Sequence, residues 1–500
     1  MMKRPNIVYI LADDMGYGDM ECNNPTSRIP TPNLNRLSEQ GMRFTDAHAG
    51  SSVCTPSRYS IMTGRYSWRS QLKEGIVWQW DRALIEPEQK TVAQLLREQD
   101  YHTACIGKWH LGLDWKLQDG SRPNDRLSFG KMLTEERTEI GERIDYTQRI
   151  GGGPVDRGFE SYFGVDVPNF PPYSWFENDR VTPVPTEQKP AEQYGHPGAS
   201  IPGWSLEQMV PEFTRRAVDY IESQSSTEKP FFLYLPLTSP HSPVVPNEGF
   251  KGKSGIGNYG DFVCEVDWVV GEVVATLDRS GLSDDTLVIF TSDNGPESRT
   301  SDEEGAYLRY QNYQHRSMGE LRGVKRDLWE GGHRVPFIAK WPREVAAGAT
   351  CDQLISLSDF MATCAELTDA TLADGEAQDS VSILKLLRGE PGGSPREYAV
   401  HHSCNGRFAL RRGDWVLIDY PTGEDNGNGM GEPDWYKEER GYVSHDHPAE
   451  LFHLGDDPTE RRNRYADEPE LVAEMKALLR QIQGTSLSQP STLVDELLTE

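Results

Sequence analysis

Short runs of β-branched, aromatic and aliphatic residues alternate along this chain with segments of helical periodicity, and few fold classes accommodate that alternation. The strand-like runs are 6–11, 103–106, 231–237 and 286–291. Residues 266–280 carry valine and leucine at helical spacing and stop at Gly281, which predicts an amphipathic helix. The pattern predicts an α/β fold, with a large, mostly parallel central sheet flanked by helices.

Two stretches interrupt the alternation. The first, 115–157, is charged and contains glycine, and the second, 166–203, is rich in proline and aromatic residues. Neither shows a sustained period, so both are predicted to be long loop insertions at the edge of the sheet.

The character of the chain changes after about residue 390. Residues 408–411 and 415–420 flank a turn sequence and predict an antiparallel pair, and 468–483 predicts a helix. We therefore expect a main α/β domain over 1–390. A smaller α+β C-terminal subdomain with an antiparallel sheet is expected over 391–500.

Charge and composition restrict the partners. The chain has 51 Lys and Arg against 78 Asp and Glu, a formal net charge of −27, and such a surface repels a phosphate backbone. Nucleic acid is therefore not expected as a partner. A hydrophobic content of 36% is too high for a disordered acidic chain, so the protein is expected to fold.

The seven cysteines are widely spaced and include no C-x-x-C pair, so no disulfide framework or cysteine zinc site is predicted. No apolar run approaches the roughly 18 residues of a membrane span. The first apolar run ends at Asp13, too early for an export signal. These features predict a soluble, cytoplasmic protein, or a periplasmic or secreted one if a leader was removed. No pattern indicates an oligomeric state.

Oxygen-bearing side chains follow two of the predicted strands. Asp13 and Asp14 come directly after the first, and Asp293 and Asn294 come after the fourth. Ligands of open α/β sheets bind beyond the carboxyl ends of strands, and a set of oxygen donors alone suits Ca²⁺ or Mg²⁺. The same residues also fit ordinary turn chemistry at strand ends.

The other two strands are followed by Lys108 and His110, and by His241, which are able to carry protons. Cys54 lies just before Pro56, which fits a first helical turn, so Cys54 is placed at a helix N-terminus where amides favour negative charge. Taken alone, this predicts a nucleophilic thiol of low pKa, with Arg58 beside it.

The segment C-T-P-S-R at 54–58, followed by T-G-R at 63–65, resembles the signature of the formylglycine-dependent sulfatases of the alkaline phosphatase superfamily. In that family the cysteine is oxidised after translation to an aldehyde, formylglycine. The chain is similar to the arylsulfatase and N-acetylgalactosamine-6-sulfatase-like members along most of its length. The other matching segments are 6–14, 16–19, 107–112, 158–160, 163–164, 240–241, 291–295, 323–325, 329–332, 334–337, 450–451, 457–458 and Glu460.

The resemblance implies a role for each matched residue. The modified Cys54 would be the nucleophile, in its hydrated form. It would also contact a calcium ion, favoured over magnesium, held by Asp13, Asp14, Asp293 and Asn294. Arg58 and Lys325 would hold the nucleophile and a sulfate oxygen. Lys108 and His241 would bind the ester and protonate the leaving oxygen, and His110 would accept a proton as sulfate is expelled. The family also implies a formylglycine-generating enzyme as a partner during maturation.

The substrate is expected to be a sulfated carbohydrate. The loop insertions suggest a shaped pocket that admits chain ends, and galactose or N-acetylgalactosamine 6-sulfate is our specific expectation. Trp78 and Trp80 lie near the motifs and are assigned to substrate binding, although packing in the core or a lid is the alternative. His333 stands where relatives often have an aliphatic residue, and it faces either the pocket or the core.

Three other functions remain open at this point. Relatives with the same modified cysteine hydrolyse phosphonate or phosphate esters. A non-catalytic, calcium-bound carbohydrate-binding protein would keep the fold, but it would be expected to have lost residues of the acid and base set. An unmodified thiol hydrolase would need a histidine against Cys54 and no metal.

Overall fold

The computed structural model describes residues 4–132, 134–299, 305–392, 396–427 and 429–484. The strands are β1 (Asn6–Ala12), β2 (Met42–Phe44), β3 (Ala47–His48), β4 (His102–Lys108), β5 (Ser161–Val165), β6 (Phe176–Glu177), β7 (Arg180–Val181), β8 (Glu187–Gln188), β9 (Ala199–Ser200), β10 (Phe231–Pro236), β11 (Thr286–Ser292), β12 (Phe337–Lys340), β13 (Ala349–Cys351), β14 (Ile355–Ser356), β15 (Tyr398–His402), β16 (Phe408–Arg412), β17 (Trp415–Ile418) and β18 (Glu450–His453). The α-helices are α1 (Pro32–Gln40), α2 (Cys54–Thr63), α3 (Val92–Glu98), α4 (Thr134–Gly141), α5 (Met209–Gln224), α6 (Asn258–Arg279), α7 (Ala306–Tyr313), α8 (Glu330–His333), α9 (Phe360–Thr368), α10 (Leu384–Leu387), α11 (Asp434–Arg440) and α12 (Pro469–Gly484).

The main sheet has ten strands in the order β13-β2-β12-β11-β1-β10-β4-β5-β6-β7. Its five central strands, from β11 to β5, are parallel to one another. Antiparallel pairs join β12 and β6 to the two sides of this parallel part. The prediction of a mostly parallel sheet is confirmed. All four runs predicted as strands lie side by side in its centre.

Helices cover both faces of the sheet, as the side-chain alternation of β1 shows. Ile7, Tyr9 and Leu11 belong to one apolar cluster, which includes side chains of α2, α3 and α9. Val8 and Ile10 belong to the other, which includes side chains of α1, α5 and α6. Burying each such side chain contributes roughly 1.5–3 kcal/mol, so this central strand is anchored from two sides.

Some element boundaries differ from the prediction. The helix expected over 266–280 is α6, which begins eight residues earlier at Asn258. Its first turns were missed because they bury Asp261 and Glu265 as well as apolar side chains, which weakens the helical pattern of hydrophobic residues.

The two insertions contain more regular structure than the predicted loops. Helix α4 lies in the first insertion, and four strands of two residues each, β6 to β9, lie in the second. Strands β6 and β7 extend the main sheet beyond β5. Such short strands are defined by their pairing partners and leave no period in the sequence.

The C-terminal part forms a four-stranded antiparallel sheet in the order β15-β16-β17-β18. The predicted antiparallel pair is β16 and β17, and the predicted last helix is α12. Leu410 and Leu417 of this sheet pack with Met475 and Leu479 of α12 and with Trp68 from the main part of the chain. The small α+β subdomain therefore rests directly on the larger one. Among the described helices, none is both long and apolar enough to cross a membrane.

Candidate active site

Polar side chains from neighbouring parallel strands meet at the carboxyl edge of the sheet. Asp13 follows β1, and Asp293 follows β11, the adjacent strand, in which Ser292 is the register partner of Ala12. The backbone N–H of Asp14 donates to Asp293 Oδ1 at 3.2 Å, and Asp14 has a φ of 66°. This left-handed conformation is unfavourable for a residue other than glycine and is typical of functional sites. Sequence reasoning placed these clusters on the same edge, and the structure brings them together.

Cys54 is the first residue of α2 and is almost completely buried at the same edge. Arg58 lies one turn further along the same helix and is fully buried. The interpretation of Cys54 as a thiol of low pKa is wrong. Burial raises the pKa of the thiol, and the charges of Lys108 and Lys325 offset that effect only in part. Burial therefore works against the thiolate form of an unmodified Cys54.

Each of three buried carboxylates is paired with a buried cation. Lys108 Nζ donates to Asp13 Oδ2 at 2.6 Å, and Lys325 Nζ donates to Asp14 Oδ2 at 2.6 Å. The third pair joins Arg58 to Asp293. Three negative and three positive charges balance, so a divalent cation would give the site two positive charges. An anionic ester group would be attracted to such a site.

Within the part of the chain that the structure describes, two buried oxygens of this site have no hydrogen-bond partner, namely Asp13 Oδ1 and Asn294 Oδ1. Ligand atoms of Asp13, Cys54 and Asp293 lie within 4.8 Å of one another. Burial and the negative charge of Asp13 raise the pKa of Asp293 to about 7. Crowded carboxylates beside unsatisfied oxygens fit a hard divalent cation such as Ca²⁺, which would satisfy the free oxygens and relieve the repulsion.

His110 is buried close to this site and is held in one orientation. Its Nε2 donates to the carbonyl of Val77 at 3.0 Å, and its backbone N–H donates to Asp166 Oδ1 at 3.1 Å. Burial, with the charges of Lys108 and Arg58, holds the pKa of His110 well below its usual range. The ring is therefore neutral, and its Nδ1, which has no hydrogen-bond partner among the described residues, carries a lone pair that can accept a proton.

His241 follows β10 and lies beside the same charged residues. Its Nε2 lies 3.9 Å from Asp14 Oδ2. Burial lowers the pKa of His241, while the charge of Asp13 acts in the opposite direction. The side chain is 14% exposed, so it borders open space as well as the buried charges.

A cavity of about 610 Å³ opens above Cys54, and we call it the Cys54 cavity. Its lining includes His110, His241 and Lys325 from the charged site, and the aromatic residues Trp78 and Phe170. The rings of Trp78 and Phe170 stack, with centroids 5.7 Å apart and an interplanar angle of 25°. One wall of the cavity is thus charged and another is flat and aromatic.

The assignment of Trp80 to substrate binding is wrong. Trp80 is 2% exposed, packs edge-on against Trp115, and donates from Nε1 to the carbonyl of Arg137 at 2.9 Å. A side chain enclosed in this way cannot contact a bound sugar. His333 also lies in the core and is fully buried.

Sequence reasoning missed several residues of the Cys54 cavity. Glu297 and Arg326 lie next to recognised motifs, and their position in the chain was a usable signal. Asn169 and Tyr194 come from the second insertion, while Cys404 and Met430 come from the C-terminal part. These four belong to no motif, and only the packing of the chain brings them to the cavity.

Comparison with known proteins identifies the family. The profile of the family described as Sulfatase matches residues 5–370. An N-acetylgalactosamine-6-O-sulfatase of Bacteroides thetaiotaomicron is 34% identical to this chain, and the match covers 96% of this chain and 93% of that protein. Human arylsulfatase A is 30% identical, with 96% and 87% covered.

Solved structures agree with this assignment. A structure from work on the metabolism of multiple glycosaminoglycans by Bacteroides thetaiotaomicron has a TM-score of 0.79 and 30% identity, and the match covers 97% of this chain and 100% of that one. A sulfatase from Pseudoalteromonas sp. shares the fold, with a TM-score of 0.72 at 23% identity, over 96% of this chain and 89% of its own. The chain therefore belongs to the sulfatase family.

Proposed function

We propose that this sulfuric ester hydrolase releases sulfate from carbohydrates and acts on galactose or N-acetylgalactosamine 6-sulfate at a chain end. The observation that carries the proposal is the convergence of Cys54, His110, His241 and Lys325 on one cavity, with Arg58 and Lys108 buried among the carboxylates behind it. A sulfate ester bound in the Cys54 cavity would contact positive charge, the nucleophile and proton-carrying side chains at the same time.

A calcium ion fits the proposal better than magnesium. Asp13, Asp14, Asp293 and Asn294 would hold it, with the modified Cys54 as a further ligand. Bound there, the ion would neutralise charge on the sulfate oxygens and make a neighbouring hydroxyl more acidic. Its presence would also compete with Lys108 and Lys325 for the carboxylates they now contact, so both ammonium groups become available to the substrate.

Cys54 is proposed to act as formylglycine, installed by a formylglycine-generating enzyme. The hydrated aldehyde supplies two hydroxyls on one carbon, one to attack sulfur and one from which the aldehyde can be restored. Arg58 is placed to orient this group because it lies one turn along α2 from Cys54. Lys325 borders both Asp14 and the Cys54 cavity, and it is assigned to a sulfate oxygen.

The proton-handling residues are assigned by their positions in the site and their hydrogen bonds. His110 is neutral with a free Nδ1, which suits it to accept the proton of the second hydroxyl. Lys108 contacts the Asp13 carboxylate, His241 lies beside that of Asp14, and both are assigned to the leaving alcohol oxygen. Together they would stabilise the charge that develops on this oxygen and protonate it.

The carbohydrate assignment rests on the aromatic wall and on the relatives. Trp78 and Phe170 offer flat apolar faces beside the charged wall, an arrangement suited to a sugar ring that carries an anionic ester. A relative with 34% identity is an N-acetylgalactosamine-6-O-sulfatase. The Cys54 cavity, at about 610 Å³, has room for a small fragment, which favours action on chain ends.

The test has two parts, carried out on the same preparation. Peptide mass spectrometry should show a loss of about 18 Da at Cys54, the mass change from thiol to aldehyde that creates the nucleophile. Free sulfate should be released from galactose 6-sulfate or N-acetylgalactosamine 6-sulfate in preference to the 4-sulfate isomers and to internal sulfates of long chains. Removal of calcium with a chelator should abolish release, and added calcium should restore it.

Contrary results separate the parts of the proposal. Faster turnover of an aryl phosphonate ester than of an aryl sulfate would contradict the sulfate assignment. Preference for another sulfated sugar would replace only the substrate. If Cys54 is unmodified and the protein releases no sulfate, it should be co-expressed with a formylglycine-generating enzyme. Modified protein that still releases no sulfate from any of these substrates would overturn the proposed function.

A further inference from the structure

Three histidines meet in the core outside the charged site. His48 ends β3, His333 ends α8, and His401 lies in β15. All three are at most 1% exposed, and one ring nitrogen of each lies within 4.8 Å of one ring nitrogen of each of the others. We call them the histidine cluster. None of them lines the Cys54 cavity, so the proposed function does not account for them.

One nitrogen of each ring is engaged by an oxygen acceptor. His48 Nε2 donates to Asp46 Oδ1 at 2.8 Å, and His333 Nε2 donates to the carbonyl of Leu328 at 2.9 Å. His401 Nδ1 lies 3.4 Å from the carbonyl of Ala49. In the neutral form each ring then carries its hydrogen on the engaged nitrogen, and its other nitrogen presents a lone pair.

The remaining nitrogens create an unbalanced arrangement. His48 Nδ1 and His333 Nδ1 are 3.1 Å apart, so two lone pairs face each other unless an electrophile lies between them. His401 Nε2 is buried and has no hydrogen-bond partner among the residues that the structure describes. The ring of His401 stacks on that of His333, with centroids 3.7 Å apart. Three imidazole lone pairs are therefore gathered in one buried place.

A proton or a metal ion can satisfy such lone pairs, and the third ring distinguishes the two. A proton between His48 and His333 would serve two nitrogens and leave His401 Nε2 without a partner in the core. A metal ion can serve all three at once. Histidine ligands in metal sites usually donate their other N–H to a carboxylate or a backbone carbonyl, as these rings do.

We propose that the histidine cluster binds a divalent transition-metal ion of the zinc type, held by one nitrogen each of His48, His333 and His401. Three imidazoles are a recognised zinc ligand set, with a fourth position left for water. The rings of His333 and His401 are parallel to within 8°, so binding requires them to rotate out of this stack until both lone pairs point at the ion. The site is separate from the calcium position, which offers oxygen ligands.

The surrounding charges hold the ligand His48 in place. Asp46, its acceptor, lies 3.2 Å from Arg334 Nη2 and 3.3 Å from Arg411 Nη2. Glu330 is fully buried, its Oε2 lies 3.9 Å from His48 Nε2, and its Oε1 has no hydrogen-bond partner among the described residues. Asp46 also lines a separate cavity of about 820 Å³, which brings solvent to the edge of the histidine cluster.

The ion would tie together three segments that surround the nucleophile position. His48 lies six residues before Cys54, in the segment that leads into α2. Ser52, in the same segment, donates from its backbone N–H to the carbonyl of His402 at 3.2 Å, next to His401. His333 fixes α8, eight residues after Lys325. From this position the ion would have a structural role: it would stabilise the fold and fix the position of α2.

The test measures metal content of the full-length protein. Protein saturated with calcium is equilibrated with excess zinc, desalted and analysed by elemental mass spectrometry. About one zinc per chain is expected, together with a rise in the thermal midpoint over zinc-free protein. The variants His333→Leu and His401→Leu should lose the zinc and the rise in midpoint while keeping their calcium. His102→Gln, on the surface, is the matched control and should keep the zinc.

A zinc ion in the calcium site is distinguished by Asp293→Ala, which should retain the zinc of the histidine cluster. If the leucine variants do not fold, X-ray absorption of the zinc in wild-type protein should show three imidazole ligands at about 2.0 Å. Zinc that persists in both leucine variants, or absorption without imidazole scattering, would overturn the proposal. Wild-type protein that takes up no zinc would also overturn it, leaving a proton between His48 and His333.

Discussion

Arg58 donates hydrogen bonds from Nε and Nη2 to the same oxygen of Asp293, at 3.0 and 2.8 Å. Both side chains are fully buried, and Arg58 lies one turn along α2 from Cys54. The guanidinium therefore joins the helix that carries the nucleophile to the oxygen cluster after β11. Any change to this pair alters fold stability and site geometry together.

Arg58→Met should be strongly destabilising. Removing the guanidinium leaves the Asp293 carboxylate buried without its partner, which costs about 3–5 kcal/mol. Urea unfolding followed by intrinsic fluorescence measures the loss. The control is Arg215→Met, because Arg215 pairs with Glu212 and Asp219 on the exposed face of α5, where about 0–1 kcal/mol is expected. Equal losses of unfolding free energy in the two variants would show that the buried Arg58–Asp293 pair stabilises the fold no more than the exposed pairs of Arg215 do.

Cys54→Ala and Cys54→Ser should both abolish sulfate release. Neither side chain can become an aldehyde, and serine offers one hydroxyl where the hydrated aldehyde offers two. Because both residues fit the space of cysteine at the start of α2, the thermal midpoint should stay close to that of wild type. Cys351→Ala, at the end of β13, is the control and should remain active. Turnover retained by Cys54→Ala would contradict the assigned nucleophile.

The sequence predicted the centre of the fold and the charged site because both depend on local patterns. Apolar runs of several residues mark the four central strands, and the polar residues that follow them must meet at one edge of a parallel sheet. The aromatic lining of the Cys54 cavity was harder to predict from the sequence. A tryptophan near a motif carries no sign of the direction in which it points, so Trp78 and Trp80 were given the same role although only Trp78 reaches the cavity.

Trp78→Ala and Trp80→Ala should therefore behave differently. Loss of the Trp78 face should raise KM for a sulfated sugar by about tenfold, equal to ~1.4 kcal/mol, with little effect on a small aryl sulfate. Trp80→Ala should lower the free energy of unfolding by about 3–5 kcal/mol because it leaves a cavity in the core. Steady-state kinetics and urea unfolding of both variants measure these effects. An unchanged sugar KM in Trp78→Ala would remove Trp78 from the binding site.

His241→Ala should impair substrates according to their leaving group. A sugar alcohol needs a proton as it departs, so loss of the acid should lower kcat on sugar sulfates by about 10²-fold. An activated aryl sulfate has a better leaving group and should lose much less. His102→Ala, at the partly exposed start of β4, is the control. Equal losses on both substrates would assign His241 to binding and leave Lys108 as the acid.

Glu265 gives a prediction for stability against pH. The side chain lies inside α6, and its Oε2 accepts from the N–H of Asn247 at 2.9 Å. Its Oε1 has no hydrogen-bond partner in the described parts of the chain. Burial raises the pKa of this carboxyl to about 7. The folded state therefore holds the proton more tightly than the unfolded chain does, and ionisation of Glu265 works against folding.

Stability should consequently fall as pH rises from the unfolded pKa, near 4.5, to the folded value, near 7. The slope from this one group approaches about 1.4 kcal/mol per pH unit, or about 3 kcal/mol in all. The side chain of Glu265→Gln cannot ionise. The urea midpoint of this variant should therefore rise relative to that of wild type across this pH range, and the difference between the two should stay constant above pH 7. Glu272→Gln, at a partly exposed position of the same helix, should follow wild type throughout. A constant difference between Glu265→Gln and wild type would mean that Glu265 ionises in the folded protein as it does in the unfolded chain.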